Sequence, residues 1–148
     1  MKRITLSFLL LGLSLFAFSQ AAKDKEAIKQ VIEKSYVQGL QNWKNVEDIN
    51  KGFHPGFNLL GINEQNNLTK YPIYTWTENV SKAAEAGQTP GAVTTAKYPM
   101  IDITGNAAVA KVELYREGKQ IFTDYLSLYK FEEGWKIVSK IYHRFPQE

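Results

Sequence analysis

Asp124 and His143 stand at opposite ends of the closing stretch "DYLSLYKFEEGWKIVSKIYHRF", and their residue types are those of acid–base chemistry. A carboxylate beside an imidazole fixes the ring's tautomer and raises its proton affinity, which suits a histidine to general acid–base work. The same pair could instead be a structural hydrogen bond that closes one end of a core. Strand register decides whether the two residues meet. With Glu117-Gly118 and Glu133-Gly134 as the central residues of two-residue turns, Arg116 faces Lys119 and Lys111 falls opposite Asp124. In the next hairpin Glu132 faces Trp135, and Asp124 falls opposite His143. One row across the sheet then reads Lys111, Asp124, His143.

Side chains alternate along a strand, so Val109, Phe122, Leu126, Leu128, Trp135, Ile137 and Ile141 share the face of that row. This is the more uniformly apolar side and is expected to face the core. Tyr125, Tyr129, Tyr142, Lys136, Lys140 and Arg144 go to the opposite, solvated or partner-covered side. An inward Asp124 needs a partner, because a lone buried carboxylate is costly, and His143 or Lys111 could supply it.

Other chemistry-bearing residues are fewer. His54 follows a short helix and suits a contact at that helix's C-terminal end. Two distant histidines without cysteine make a poor metal site, and none is expected. Ser127 faces Lys140 in the same register and has no adjacent base, so a serine nucleophile is not indicated. Tyr36, Trp43, Trp76 and Tyr98 could stack on a flat ligand, or simply fill a core. No nucleotide, flavin or nicotinamide motif is visible, so no cofactor is implied.

The elements that must position these residues fall in a clear order. "KEAIKQVIEKSYVQGLQNW" has apolar or small residues at helical spacing (Ile28, Val31, Ile32, Ser35, Gly39, Leu40, Trp43). Asn45 is placed to cap a second, short helix that Gly52 and Pro55 stop. A strand, a polar turn at 64–67 and a return strand ending before Pro72 follow. "TWTE", Thr75 to Glu78, fits a capping box for a third helix running to about Ala86. The period then changes to two, with strands expected at 94–103, 107–116, 120–131 and 135–145. Helices against one face of a curved, mostly antiparallel sheet make an α+β domain.

The chain has 148 residues and no cysteine, which gives one domain whose core has no disulfide support. "MKRITLSFLLLGLSLFAFSQ" is a different segment: two positive residues, an apolar run from Ile4 to Phe16, and small residues at Ala17 and Ser19. That is the pattern of an export signal, with cleavage after Ser19 leaving a mature domain of 20–148. The expected location is periplasmic or secreted, with no membrane attachment after cleavage. Losing Lys2 and Arg3 takes the formal charge from +3 to +1. No basic cluster remains to track a phosphate backbone, so nucleic acid is not an expected partner.

The order of elements resembles the nuclear-transport-factor-2-like (SnoaL-like) superfamily, a cone-shaped α+β fold that also houses ketosteroid isomerases, scytalone dehydratase and polyketide cyclases. The resemblance rests on "IEKSYVQGLQNWK", "INKGFHPGFNLL" and above all "DYLSLYKFEEGWKIVSKIYH", and spans roughly 24–146. The last stretch is most similar to small secreted bacterial proteins labelled "putative lumazine-binding". The resemblance implies a cavity between sheet and helices, with Tyr36, Trp76, Asp124 and His143 around it, and a homodimer through the outer sheet face. "FNLLGI" lacks the first-strand carboxylate of the ketosteroid isomerases, so that activity is not implied. The expected function is exported, non-catalytic binding of a small, partly apolar molecule anchored by Asp124 and His143. The alternatives are a dehydratase-, isomerase- or cyclase-type enzyme using the Asp124–His143 pair, and an interaction module using the outer sheet face.

Overall fold

A computed structural model describes residues 20–146. The proposed export signal lies outside them. Helix α1 is α-helical over 20–31 and continues as a wider π-helix over Ile32–Gln41. The wider pitch is visible at its end, where the Asn42 N–H reaches back five residues to the Val37 carbonyl at 3.0 Å. α2 spans Val46–Gly52 and α3 Ile73–Glu85. The strands are β1 (Phe53–Ile62), β2 (Leu68–Pro72), β3 (Thr94–Thr104), β4 (Ala107–Arg116), β5 (Lys119–Phe131) and β6 (Gly134–Arg144). They form one open sheet in the order β2-β1-β6-β5-β4-β3, antiparallel except where β1 runs parallel to β6.

The expected three helices and four-stranded meander are therefore present, and the two-strand hairpin joins the same sheet. Asn45 caps α2 as its side-chain type requires, with Oδ1 accepting the Glu47 N–H at 3.0 Å. The "TWTE" capping box does not form. α3 begins at Ile73 with Pro72 before it, and Thr75 already lies inside the first turn. Proline's fixed φ suits a helix entry, and Pro72 offers no side-chain acceptor to the first N–H groups of α3.

The core lies between the helices and the inner sheet face. Ile28, Ile32, Tyr36 and Leu40 of α1 meet Val112, Leu114, Leu126, Leu128 and Ile137 of the meander, all fully or almost fully buried. α1 is fastened to the sheet at both ends. At its start Asp24 accepts hydrogen bonds from Lys130 Nζ (2.7 Å) and Trp135 Nε1 (3.0 Å). Those bonds, Lys130's first, hold its carboxyl down at about 2. Just past its end Asn42 pairs with the Thr94 backbone like a strand, its Nδ2 donating to the carbonyl (2.9 Å) and Oδ1 accepting the N–H (2.8 Å). α2 passes so close to α1 that a Cβ on Gly52 would stand 1.8 Å from Ser35 Oγ.

Three bulges bend the meander and reset its faces. In β3, Tyr98 and Pro99 oppose the single residue Val112, which puts the proline where the ladder is already interrupted. In β5, Leu114 pairs with Phe122 and Tyr115 with Gln120, leaving Ile121 over. In β6, Ser127 pairs with Ser139 and Leu128 with Ile137, leaving Val138 over.

These bulges overturn the expected Lys111–Asp124–His143 row. The first turn is as read: Arg116 faces Lys119 across Glu117 (φ 49°) and Gly118 (φ 80°), both left-handed as such a turn requires. The Ile121 bulge then moves Asp124 opposite Val112, and Lys111 opposite Tyr125. The second turn centres on Glu132-Glu133, with Gly134 (φ 118°) opposite Phe131. That change and the Val138 bulge leave Asp124 opposite Tyr142, and His143 opposite Thr123.

Candidate functional site

The inner face holds a buried polar cluster among apolar side chains. It comprises Asp124 from β5, Tyr36 from the π-helical part of α1, and Lys140 from β6, with exposures of 0%, 0% and 4%. The Tyr36 hydroxyl donates to Asp124 Oδ2 at 2.7 Å. Lys140 Nζ lies 2.7 Å from Asp124 Oδ1, as a close ion pair without hydrogen-bond alignment, and it also donates to the Tyr36 oxygen. Each group needs the others. Two charges taken out of water are tolerated only when both are compensated, and the phenol occupies the second carboxylate oxygen.

The ammonium is also boxed by aromatic rings. Its nitrogen stands 4.7 Å from the Tyr36 ring centroid, 5.1 Å from Tyr142, and 5.6 Å from both Trp76 and Phe122. Ring faces carry partial negative charge, so four of them around one cation are favourable. Tyr36 and Trp76 meet edge to face at 6.0 Å, as do Phe122 and Tyr142 at 5.8 Å. Tyr36 is fully buried, Trp76 and Phe122 are half-buried, and Tyr142 is 40% exposed, so the box runs from the core toward solvent.

Burial pushes the Tyr36 phenol well above its ordinary range, and the Asp124 charge and hydrogen bond push it further. It therefore stays protonated and donating. Burial also pulls the Lys140 amine below its ordinary value, and Asp124 opposes that pull. The cluster thus offers a carboxylate, a phenol and a desolvated amine within reach of one another, beneath flat rings.

Of the residues singled out in the sequence, Tyr36, Trp76 and Asp124 are brought together here. His143 is not. It lies exposed on the outer side of the sheet and packs edge to face on Phe145, with ring centroids 4.9 Å apart. The expected Asp124–His143 hydrogen bond, structural or catalytic, is thereby excluded. Lys111 is also on the outer side, 3.7 Å from Glu113. Val109 and Ile141 leave the core face, and Ile141 is 53% exposed. Lys140 and Tyr142 make the opposite move, from the expected outer side to the inner one. His54 lies in β1, past the end of α2, with its ring stacked on Phe131 (4.9 Å, 13°). Lys140 was missed because strict alternation sends it outward. The available signal was the adjacent apolar pair Ile137-Val138, which breaks the alternation where the bulge occurs.

The outer face carries a second feature, a groove of about 600 Å³ bordered by Leu60, Ile62, Leu68, Tyr125, Ile141 and His143. Among the described residues no group of three or more His, Asp or Glu side chains is placed to hold a metal ion, and no helix is long and apolar enough to cross a membrane.

The model of the family described as "Putative lumazine-binding" matches residues 23–143. Among solved structures, the chain is similar to an NTF2-like protein of unknown function from Shewanella baltica. The two share 27% identity and a TM-score of 0.67, over 85% of this chain and 97% of that one. An NTF-2-like protein of unknown function from Silicibacter pomeroyi shares the fold, at 19% identity, TM-score 0.68, and 84% and 98% coverage. So does one from Methylobacillus flagellatus, at 22% identity, TM-score 0.61, and 84% and 94% coverage. No curated protein matches significantly.

Breaking the buried pair should cost far more than replacing it. Lys140→Met alone is expected to destabilise the protein by about 3–5 kcal/mol, because it strands the Asp124 charge. The double variant Asp124→Leu/Lys140→Met should recover most of that loss, measured by urea unfolding.

Proposed function

The chain belongs to the "Putative lumazine-binding" family and has the nuclear-transport-factor-2-like fold, and on that footing we propose that it is an exported, non-catalytic binding protein for a small, flat, partly polar molecule. The observation that carries this reading is the convergence of Tyr36, Asp124 and Lys140 beneath the rings of Trp76, Phe122 and Tyr142. A few polar groups set among aromatic rings give a flat ligand both stacking area and orientation. Trp76 and Tyr142 reach solvent, and they mark the side from which a ligand would approach the buried cluster. Export is supported by the charged start, apolar run and small residues of 1–19. The acid–base alternative with His143 as base is not supported, since His143 lies on the far side of the sheet from Asp124.

The test is a thermal-shift and tryptophan-fluorescence screen with lumazine and related bicyclic heteroaromatics. Ligand bound to the native state should raise Tm by mass action, by about 2.7 kcal/mol of stability at a hundredfold excess over Kd. Tyr36→Phe and Trp76→Leu should weaken the shift, and His143→Ala should leave it unchanged. A shift lost in His143→Ala and retained in Trp76→Leu would contradict the reading.

A second reading concerns the outer face. Ile62, Leu68 and Ile141 are 74%, 64% and 53% exposed around the groove, a larger cluster of bare apolar side chains than a solvated sheet needs. We propose that a second copy of the chain covers it as a homodimer. Sedimentation should give a dimer for the native chain and a monomer for Ile141→Asp; a monomeric native chain would contradict this.

A further inference from the structure

The bulge at Val138 has a consequence that packing alone does not require. Without it, Lys140 would lie on the outer face in water, where a lysine costs nothing. With it, an amine is turned into the core and must be compensated by a carboxylate, a phenol and four rings. A pair of apolar side chains would fill the same space at lower cost.

We propose that Lys140 is an amine nucleophile, and that the ligand class of this site includes flat aromatic or conjugated aldehydes and ketones held as an imine on its Nζ. This rests on the inner cluster being the ligand site. The groups needed are in place. The Tyr36 hydroxyl, accepting from Nζ and donating to Asp124 Oδ2, relays a proton from the ammonium to the carboxylate and leaves a neutral amine. The amine lone pair forms a bond to the carbonyl carbon while the carbonyl π bond opens onto oxygen. Tyr36 hydroxyl, hydrogen-bonded to both neighbours, passes the surplus nitrogen proton to that oxygen, giving a carbinolamine. Asp124 then returns its proton to the hydroxyl, which leaves as water, and the nitrogen lone pair closes a protonated C=N bond. The sum is carbonyl plus ammonium giving iminium plus water, with no oxidant or reductant. The iminium keeps the one positive charge that the Asp124 carboxylate and the aromatic box already stabilise. The lowered proton affinity of the buried amine works in the same direction.

The experiment treats the purified protein with 6-methoxy-2-naphthaldehyde, reduces any imine with sodium cyanoborohydride, and maps adducts by peptide mass spectrometry. The expected result is one dominant adduct at Lys140, with occupancy about ten-fold or more above Lys51 and Lys82, whose side chains are 70% and 69% exposed. Tyr36→Phe should slow trapping about ten-fold or more through loss of the proton relay, and Lys140→Arg should abolish it. Adducts spread over exposed lysines with Lys140 unmodified would overturn the proposal, and the native protein alone suffices for that reading. The matching alcohol, 6-methoxy-2-naphthalenemethanol, separates the two claims. If it binds and Lys140 stays unlabelled, the imine is wrong and the binding site stands. If neither compound engages the cluster, both are wrong.

Discussion

A lysine and an aspartate paired out of water, with a tyrosine from the facing helix bound to both, constrain most of what surrounds them. The pair is acceptable only while Tyr36, Asp124 and Lys140 stay within hydrogen-bond reach, so α1 must cross the sheet at one height and one rotation. The fastenings at either end of α1 hold it there: Asp24 to Lys130 and Trp135 at one end, Asn42 to Thr94 at the other. The π-helical pitch over Ile32–Gln41 fits the same demand. Within that stretch Ser35, Tyr36 and Val37 are buried in succession.

The sheet meets the constraint by curvature. Each bulge adds a residue to one strand, bends it, and exchanges its faces beyond that point. The Ile121 bulge lets Asp124 point inward beside Val112, and the Val138 bulge brings Lys140 to meet it. Without the second, Asp124 would face the helix with only a phenol as partner, and Lys140 would be one more surface charge. The same bulge returns Ile141 to the outer face, where it joins Ile62 and Leu68 in an apolar groove. One inserted residue therefore furnishes both the polar inner cluster and part of the outer patch.

Element order, strand limits and the apolar helix stripe were legible in the sequence, because periodicity and turn residues report them directly. Tyr36, Trp76 and Asp124 could be named, the first two for their place on helices in a resembling fold and the last as an acid in an apolar strand. His143 could not be placed correctly. A register is a running count from a turn: the turn centred on Glu132-Glu133 shifts the pairing of His143 by two residues and keeps its face, and the bulge at Val138 then turns it to the opposite face. Nothing local at His143 records either event. The Ile121-Phe122 and Ile137-Val138 doublets do mark the bulges, but adjacent apolar residues also occur at strand ends, so their meaning depends on the partner strand.

The central claim is that Lys140 is an inward, desolvated amine, and lysine side-chain NMR tests it most directly. Titrating the protein with labelled lysine Cε and Nζ should reveal one amine, removed by Lys140→Arg, that loses its proton at lower pH than the exposed lysines and exchanges its hydrogens slowly with water. If the resonance assigned to Lys140 titrates and exchanges with the surface lysines, the side chain is in water, the bulge does not turn it inward, and the account of the site fails.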